Sequence, residues 1–352
     1  MNIGLMRTVF LVIIVFLTTA ISSFSQTVVA KYAGEFISIG IGGRPLGMGG
    51  AFTAVANDIS SAYYNPAGLA NLNYPQISLM HDERFGNLVN YNYAALAIPY
   101  GSEYSFGVSV MRLGVDNIFD TRNALIDRVT GQVIYDITLP SAKIDPSKVK
   151  EFSNQDWVVY LSGAKKGFDN FDFGANVKII YRTIGEDYTA TGIGVDIGAL
   201  YRPYNFLTFG ANLQDATTTL VAWSTGRNEL ISPTLKLGSA ATTELWLFKL
   251  TGAVDFDVRF ENRKFASQFN MGPVSMDPHL GVELGFKNLF AVRGGYNDVK
   301  QFTFGAGVRL PKLNIDYTFA RFNMSEDDRL PDTHRISLIL TLEEPRFLRL
   351  QQ

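Results

Sequence analysis

The chain contains no cysteine, which excludes both a disulfide framework and a thiolate metal site. Histidine is nearly as scarce. His81, His279 and His334 stand far apart, without the spacing of metal ligands. Neither charge sign dominates: the formal net charge is −2, so no large basic field is offered to a nucleic acid. After the first residues, no apolar run is long enough for a membrane-crossing helix. Enzymatic signatures are missing as well. There is no Gly-x-Ser-x-Gly elbow around Ser162-Gly163. Asp327-Asp328 and Glu343-Glu344 read as solvated pairs in a turn and a tail. The sequence points away from an enzyme and asks for no cofactor or metal.

What is present is a two-residue rhythm. In Phe171-Asp172-Phe173-Gly174-Ala175-Asn176-Val177-Lys178-Ile179, apolar side chains alternate with small or polar ones. The pattern returns in Leu280-Gly281-Val282-Glu283-Leu284-Gly285-Phe286-Lys287 and in Phe302-Thr303-Phe304-Gly305-Ala306-Gly307-Val308-Arg309. A strand turns successive side chains to opposite faces, so each segment has one apolar and one polar face. The N-terminus supplies an export signal. Arg7 precedes the apolar stretch Val9 to Leu17, and Ser23 and Ser25 are the small residues a signal peptidase reads. Residues 1–25 are therefore expected to be a cleaved signal peptide, with an N-terminal membrane anchor as the alternative. An exported chain with many such strands can turn its apolar faces to lipid and its polar faces to a lumen.

Roughly fourteen strands are expected, an even number as outer-membrane barrels require. They begin near Gln76, Leu88, Glu103, Gln155, Asn170, Thr191, Asn205, Pro233, Leu247, His279, Leu289, Lys300, Leu313 and Thr333. Tight connections such as Tyr100-Gly101-Ser102, Lys287-Asn288 and Pro311-Lys312 alternate with long ones at 114–154, 215–232, 259–278 and 322–332. Short turns on one rim and long loops on the other mark an all-β, antiparallel transmembrane barrel. The expected divisions are the signal peptide 1–25, an N-terminal plug 26–75, the barrel 76–343 and a tail 344–352. Aromatics near strand ends, including Tyr100, Trp157, Tyr160, Tyr181, Trp246, Phe248 and Tyr296, are expected to form girdles at the two membrane surfaces. Packing in the core of a β-sandwich is the alternative.

The register places Lys178, Lys236, Lys249, Arg293 and Arg309 inside, with Asp172, Asp196, Asp255, Glu283 and Asp316. Ion-selective pores favour rings of one sign. A balanced set suits mutual pairing, or pairing with something that fills the barrel. The glycine-dense stretch Ile39 to Phe52, centred on Arg44, is a candidate filling, with Asp58 placed to cap a short helix and Asn65-Pro66 to end it. No Gly-Lys-Ser/Thr follows these glycines, so a phosphate loop fits poorly. Glycine here lets backbone pack closely on a wall. Arg44 is expected to pair with a lumen carboxylate.

The run Gly42-Gly43-Arg44-Pro45-Leu46-Gly47-Met48-Gly49-Gly50-Ala51-Phe52-Thr53-Ala54-Val55-Ala56-Asn57-Asp58, followed by Tyr64-Asn65-Pro66-Ala67-Gly68-Leu69, resembles the N-terminal signature of the FadL superfamily of outer-membrane proteins. Its compact form looks closest to the PorV/PorQ branch. The resemblance implies a fourteen-stranded barrel with an N-terminal plug in the outer membrane of a Gram-negative-type bacterium. For the PorV/PorQ branch it implies a role in type IX secretion, binding exported proteins beside other secretion components. For FadL-type members it implies lateral passage of hydrophobic compounds such as long-chain fatty acids, hence a lipid-like ligand. The chain is shorter than typical fatty-acid transporters and lacks their C-terminal aromatic, continuing past Leu342 to Gln352. A loop from Arg259 to Pro278 carrying Phe260, Phe265, Phe269, Met271 and Met276 is a candidate contact for such a ligand or for a protein. A loop packed on itself over the barrel mouth is the alternative.

Overall fold

The computed structural model describes residues 34–84, 88–185, 187–261, 263, 267–322 and 332–349. Strands dominate: β1 (Gln76–Arg84), β2 (Val89–Tyr100), β3 (Tyr104–Asp120), β4 (Leu125–Asp127), β5 (Ala142–Ile144), β6 (Lys150–Lys166), β7 (Phe171–Ile184), β8 (Tyr188–Tyr204), β9 (Leu207–Gln214) and β10 (Thr219–Trp223). They continue as β11 (Asn228–Ile231), β12 (Thr234–Leu245), β13 (Phe248–Arg259), β14 (Phe269–Met271), β15 (Val274–Phe286), β16 (Phe290–Tyr296), β17 (Gln301–Leu310), β18 (Leu313–Phe322) and β19 (Thr333–Thr341).

Each wall strand pairs antiparallel with its neighbour, and β19 pairs with β1 from Gln76↔Thr341 to Glu83↔His334. That last ladder closes fourteen strands into a barrel and removes the exposed edges that open sheets carry. Short turns gather at one rim, as at Gly101, Trp246-Leu247, Asn288 and Lys312. The other rim carries the long connection between β3 and β6, with β4 and β5 paired inside it.

The alternation sorts side chains cleanly. In β7, Asp172, Asn176, Lys178 and Ile180 are buried while Phe173, Val177 and Ile179 are exposed. Leu79, Ile193, Val292 and Phe304 likewise stand in the open on the outer wall, as an apolar belt requires where lipid is the solvent.

Several expectations need correction. Strand β6 begins at Lys150 rather than Gln155, and β15 at Val274 rather than His279. Both ladders run on past the apolar belt, where polar residues stand on both faces and the alternation fades. The connection 215–232 is not a loop, because β10 and β11 carry the wall upward as a hairpin. Phe269, Met271 and Met276 lie on strands β14 and β15, with Phe269 paired to Met276, because this connection also folds back as a hairpin. Tyr160 faces inward and is buried, so it belongs to no girdle.

An inner segment, residues 34–75, packs against the inward wall. It contains short helical turns at Glu35–Ser38, Gly43–Gly47, Ser61–Tyr64 and Pro66–Asn71. Its Phe36, Ile41, Met48, Phe52, Ile59 and Leu69 join wall residues Tyr91, Met111, Val158 and Ile180 in one apolar core. Approach is backbone to backbone. Gly49 has φ +64, and a Cβ there would lie 2.6 Å from Tyr296 N and 2.7 Å from Leu280 O. On the wall side, a Cβ on Gly281 would lie 2.5 Å from Met48 O. Only glycine fits either position.

Candidate functional site

Arg44 sits on the Gly43–Gly47 turn and reaches the wall. Its Nε and Nη2 donate to the two Glu283 carboxylate oxygens at 2.9 and 3.0 Å. Its Nη1 donates to Asp58 at 3.0 Å and to Asn57 Oδ1 at 2.7 Å. Glu283 also accepts from Arg293 Nε at 2.6 Å, and Arg293 Nη1 donates to Asp316 at 2.7 Å. Arg309 stands 3.9 Å from Glu283. The alternation of β15, β16, β17 and β18 turns these wall residues to one side, where the inner turn meets them. Charges removed from water in this way hold only when paired.

A second cluster stands higher in the lumen. Lys178 Nζ lies 2.8 Å from Asp196 and 2.7 Å from Asp215. Beside it, Asn176 Nδ2 donates to Ala62 O at 2.7 Å, and Asn212 Nδ2 donates to Tyr64 O at 2.9 Å. Asn65 Nδ2 donates to Thr53 O and to Ala199 O, at 2.9 and 3.0 Å. Pro66 follows as the first residue of the next turn, and Gly68 closes that turn by donating to Asn65 O at 2.9 Å.

A third cluster grips the middle of the inner segment. Asp255 Oδ2 accepts from the backbone N–H groups of Phe52 and Thr53 at 2.8 and 2.7 Å. Lys236 pairs with Asp257. His279 Nδ1 lies 2.8 Å from Gly49 O, and its Nε2 lies 3.5 Å from Asp257. Gly43 and Gly47 complete the holds: Gly43 N donates to Ser337 Oγ at 2.8 Å, and Gly47 O accepts from Thr303 Oγ1 at 3.2 Å. Met48 and Gly50 lie between these holds, and Gly50 faces the His279 ring.

Sequence reasoning missed Asp215, Asp257, Asn176 and Asn212. It also treated His279 as isolated. The inward parity of His279 with Gly281 and Glu283 was the one signal available. Lys249 occupies an inward position but pairs at the short-turn rim with Glu244, 3.2 Å away. Phe260, Phe269 and Met271 are exposed at the long-loop end, whereas the Arg44 cluster sits towards the short-turn rim. Phe265 lies outside the described residues.

Two features flank the inner segment. Near the short-turn rim is a cavity of about 840 Å³ whose lining includes Arg44, Asp58, Thr208, Thr251 and Arg309. Higher up, the wall is interrupted. The β9–β12 ladder reaches Gln214↔Thr234, and pairing resumes at Thr219↔Ile231 between β10 and β11. Asp215 and Thr218 take positive φ (55° and 57°), and Thr218 N donates to Asp215 O at 2.7 Å. Pro233, opposite, has no N–H to offer the ladder. Residues 215–218 thus form a turn set into the wall, beside an aromatic group on the inner segment. Tyr63 lies 4.8 Å from Tyr64 and 6.4 Å from the wall's Tyr160, centroid to centroid.

The fold class is thus a closed, fourteen-stranded antiparallel β-barrel holding an N-terminal inner segment. The sequence matches an uncharacterised protein family, UPF0164, over residues 13–187. A UPF0164 protein from Treponema pallidum (strain Nichols) is 24% identical over 174 residues, covering 49% of this chain and 47% of that protein. The match thus spans about half the length of that relative. Among solved structures, the Ralstonia pickettii toluene transporter TbuX superposes with a TM-score of 0.55 at 13% identity, covering 86% of this chain and 98% of its own. The P. putida toluene transporter TodX gives 0.54 at 12% identity, with 87% and 99% covered. A Pseudomonas aeruginosa FadL homologue gives 0.50 at 14% identity, with 84% and 96% covered. Identities this low show the shared fold.

Proposed function

We propose that the protein is an outer-membrane channel for hydrophobic small molecules. The observation that carries this reading is the turn at 215–218, which interrupts the wall beside the buried aromatic face of the inner segment. An apolar compound needs an aromatic-lined surface and a stretch of wall with fewer hydrogen bonds to break: residues 215–218 have no ladder partner on the β11–β12 side, while Ala216 N still donates to Val195 O at 2.8 Å on the β8 side. Both lie together here. On this reading the short-turn rim near Gly101 and Lys312 faces the periplasm and the β3–β6 connection faces outward, the usual arrangement of short turns and long loops in such barrels. The inner segment is then the plug, and its release is a local rearrangement around the three charged clusters. The solved relatives named for toluene and FadL-type transport support this reading by fold.

A second reading is a PorV/PorQ-like role in type IX secretion. It is favoured by the ordered connection between β3 and β6, which holds Val129, Tyr135 and Ile137 in the open, Tyr135 at 88% exposure. Such a surface suits contact with an exported protein or a secretion component.

Deleting the gene and following two readouts separates the readings. The channel reading expects slower uptake of radiolabelled oleate or toluene with an unchanged secreted proteome. Loss of exported proteins with normal uptake would overturn it in favour of the secretion role.

A further inference from the structure

The outer wall carries a polar row immediately above an apolar one. Across five neighbouring strands, the paired outward residues are His81, Asn92, Arg112, Trp157 and Tyr181. The next outward row towards the short-turn rim reads Leu338, Leu79, Ala94, Val110, Val159, Ile179 and Ile193. The change from one row to the next is a boundary between hydrocarbon and head groups. Its height agrees. From Tyr104 at the short-turn rim to Arg112, the tilted strand climbs roughly 20 Å, against an apolar band about 25 Å tall.

Directly below this row the wall is dented. A cavity of about 470 Å³ opens on the outer face between β19, β1, β2 and β3. Ala94 is the small residue at its centre, with Leu79, Val110, Ile336 and Leu338 around it. His81, Asn92, Arg112 and Trp157 also line it. The polar groups are held in place. His81 Nδ1 lies 2.7 Å from Asn92 Oδ1, and its Nε2 lies 3.3 Å from Glu83. Arg112 sits over the Trp157 ring at 5.7 Å and gives Nη2 to Asp116 at 3.2 Å. Among the described residues, its Nε and Nη1 and the Asn92 amide nitrogen have no protein acceptor.

We propose that this dent binds one phosphate-bearing membrane lipid. Its acyl chain lies against Ala94, and its phosphate accepts hydrogen bonds from Arg112 and Asn92. The inference rests on the outer-membrane placement of the barrel but not on what the channel carries. Three observations choose the occupant. The dent is continuous with the lipid-facing belt, its free donors stand at head-group height, and a guanidinium matches a phosphate in charge and geometry.

Native mass spectrometry of the full barrel, released from nanodiscs containing palmitoyl-oleoyl phosphatidylglycerol, tests this directly. The wild type is expected to keep one phosphatidylglycerol and to keep the diacylglycerol with the same chains far less. Arg112→Gln removes the phosphate donor, and Ala94→Phe fills the dent. Each should lower retention at least about tenfold, the loss of one charge-assisted hydrogen bond or of the chain's seat. Ala241→Phe, on the outer face of β12, should retain lipid like the wild type. Equal retention by wild type and either test variant, or no retained lipid on a barrel that inserts normally, overturns the proposal. A barrel that fails to enter nanodiscs would instead overturn its membrane placement, and a gel shift on heating confirms that each variant is folded.

Discussion

Arg44 and Glu283 form a two-pronged ion pair, at 2.9 and 3.0 Å, that ties the inner segment to the barrel wall across 239 positions of sequence. The pair is nearly dry, with side-chain exposures of 12% and 8%. Glu283 serves Arg293 as well, so the tie and the wall's own charge network share one carboxylate.

Arg44→Ala should therefore loosen the inner segment without dissolving the barrel. Asp58 loses its cationic partner, and Glu283 keeps Arg293. Breaking a buried pair from one side costs about 3–5 kcal/mol. Glu283→Gln should cost more, because Arg44, Arg293 and Arg309 then face one another around a neutral amide. Limited proteolysis of the detergent-solubilised barrel reads this as earlier cleavage within residues 34–75, with the gel shift on heating retained. Wild-type cleavage in both variants would remove the tie from the account.

Lys178 is the cation that holds the wall turn inward, through Asp215 on the turn and Asp196 on β8. Lys178→Met leaves two buried carboxylates without a counter-charge. They repel, and the turn at 215–218 should swing away from the lumen. Amide exchange at 215–219 should rise by at least about tenfold, the factor given by 1.4 kcal/mol. Exchange in β16 and β17, on the far wall, should not change. A uniform rise around the barrel would mean general destabilisation instead.

The outer connection carries its own pH dependence. The Ser141 hydroxyl and the backbone N–H groups of Thr130 and Val129 hold the Asp127 carboxyl down at about 2. A carboxyl depressed below its ordinary value of 3.8 adds order that is complete above that value and is lost as pH falls through about 2. Exchange protection of the Val129 and Thr130 amides should thus persist to pH 3 and fall away near pH 2. In Asp127→Asn that titration should vanish. An unchanged profile in the variant would assign it to another group.

Much of the wall was legible because strands have a period of two, and eleven of the fourteen expected starts fall within two residues of the observed ones, as at Gln76, Leu313 and Thr333. The side on which a residue falls was less legible. Tyr160 reads as a girdle aromatic, yet it points inward, because an apolar inner segment makes the inward face apolar there as well. Lys178, Asp196, Glu283 and Arg293 were readable as inward charges, since the alternation fixes their face. Their partners were not. Asp215 meets Lys178 only because a turn is set into the wall, and His279 meets a glycine carbonyl 230 positions away. No local pattern encodes either contact.

The central claim is a closed barrel with its apolar face in lipid and its polar face against the inner segment. Spin labels placed singly at 172–181 on β7, in the membrane-reconstituted protein, test it most directly. The account predicts high oxygen accessibility at 173, 175, 177 and 179 and low accessibility at 172, 174, 176, 178 and 180. Accessibility without alternation, or alternation in the opposite phase, would contradict it.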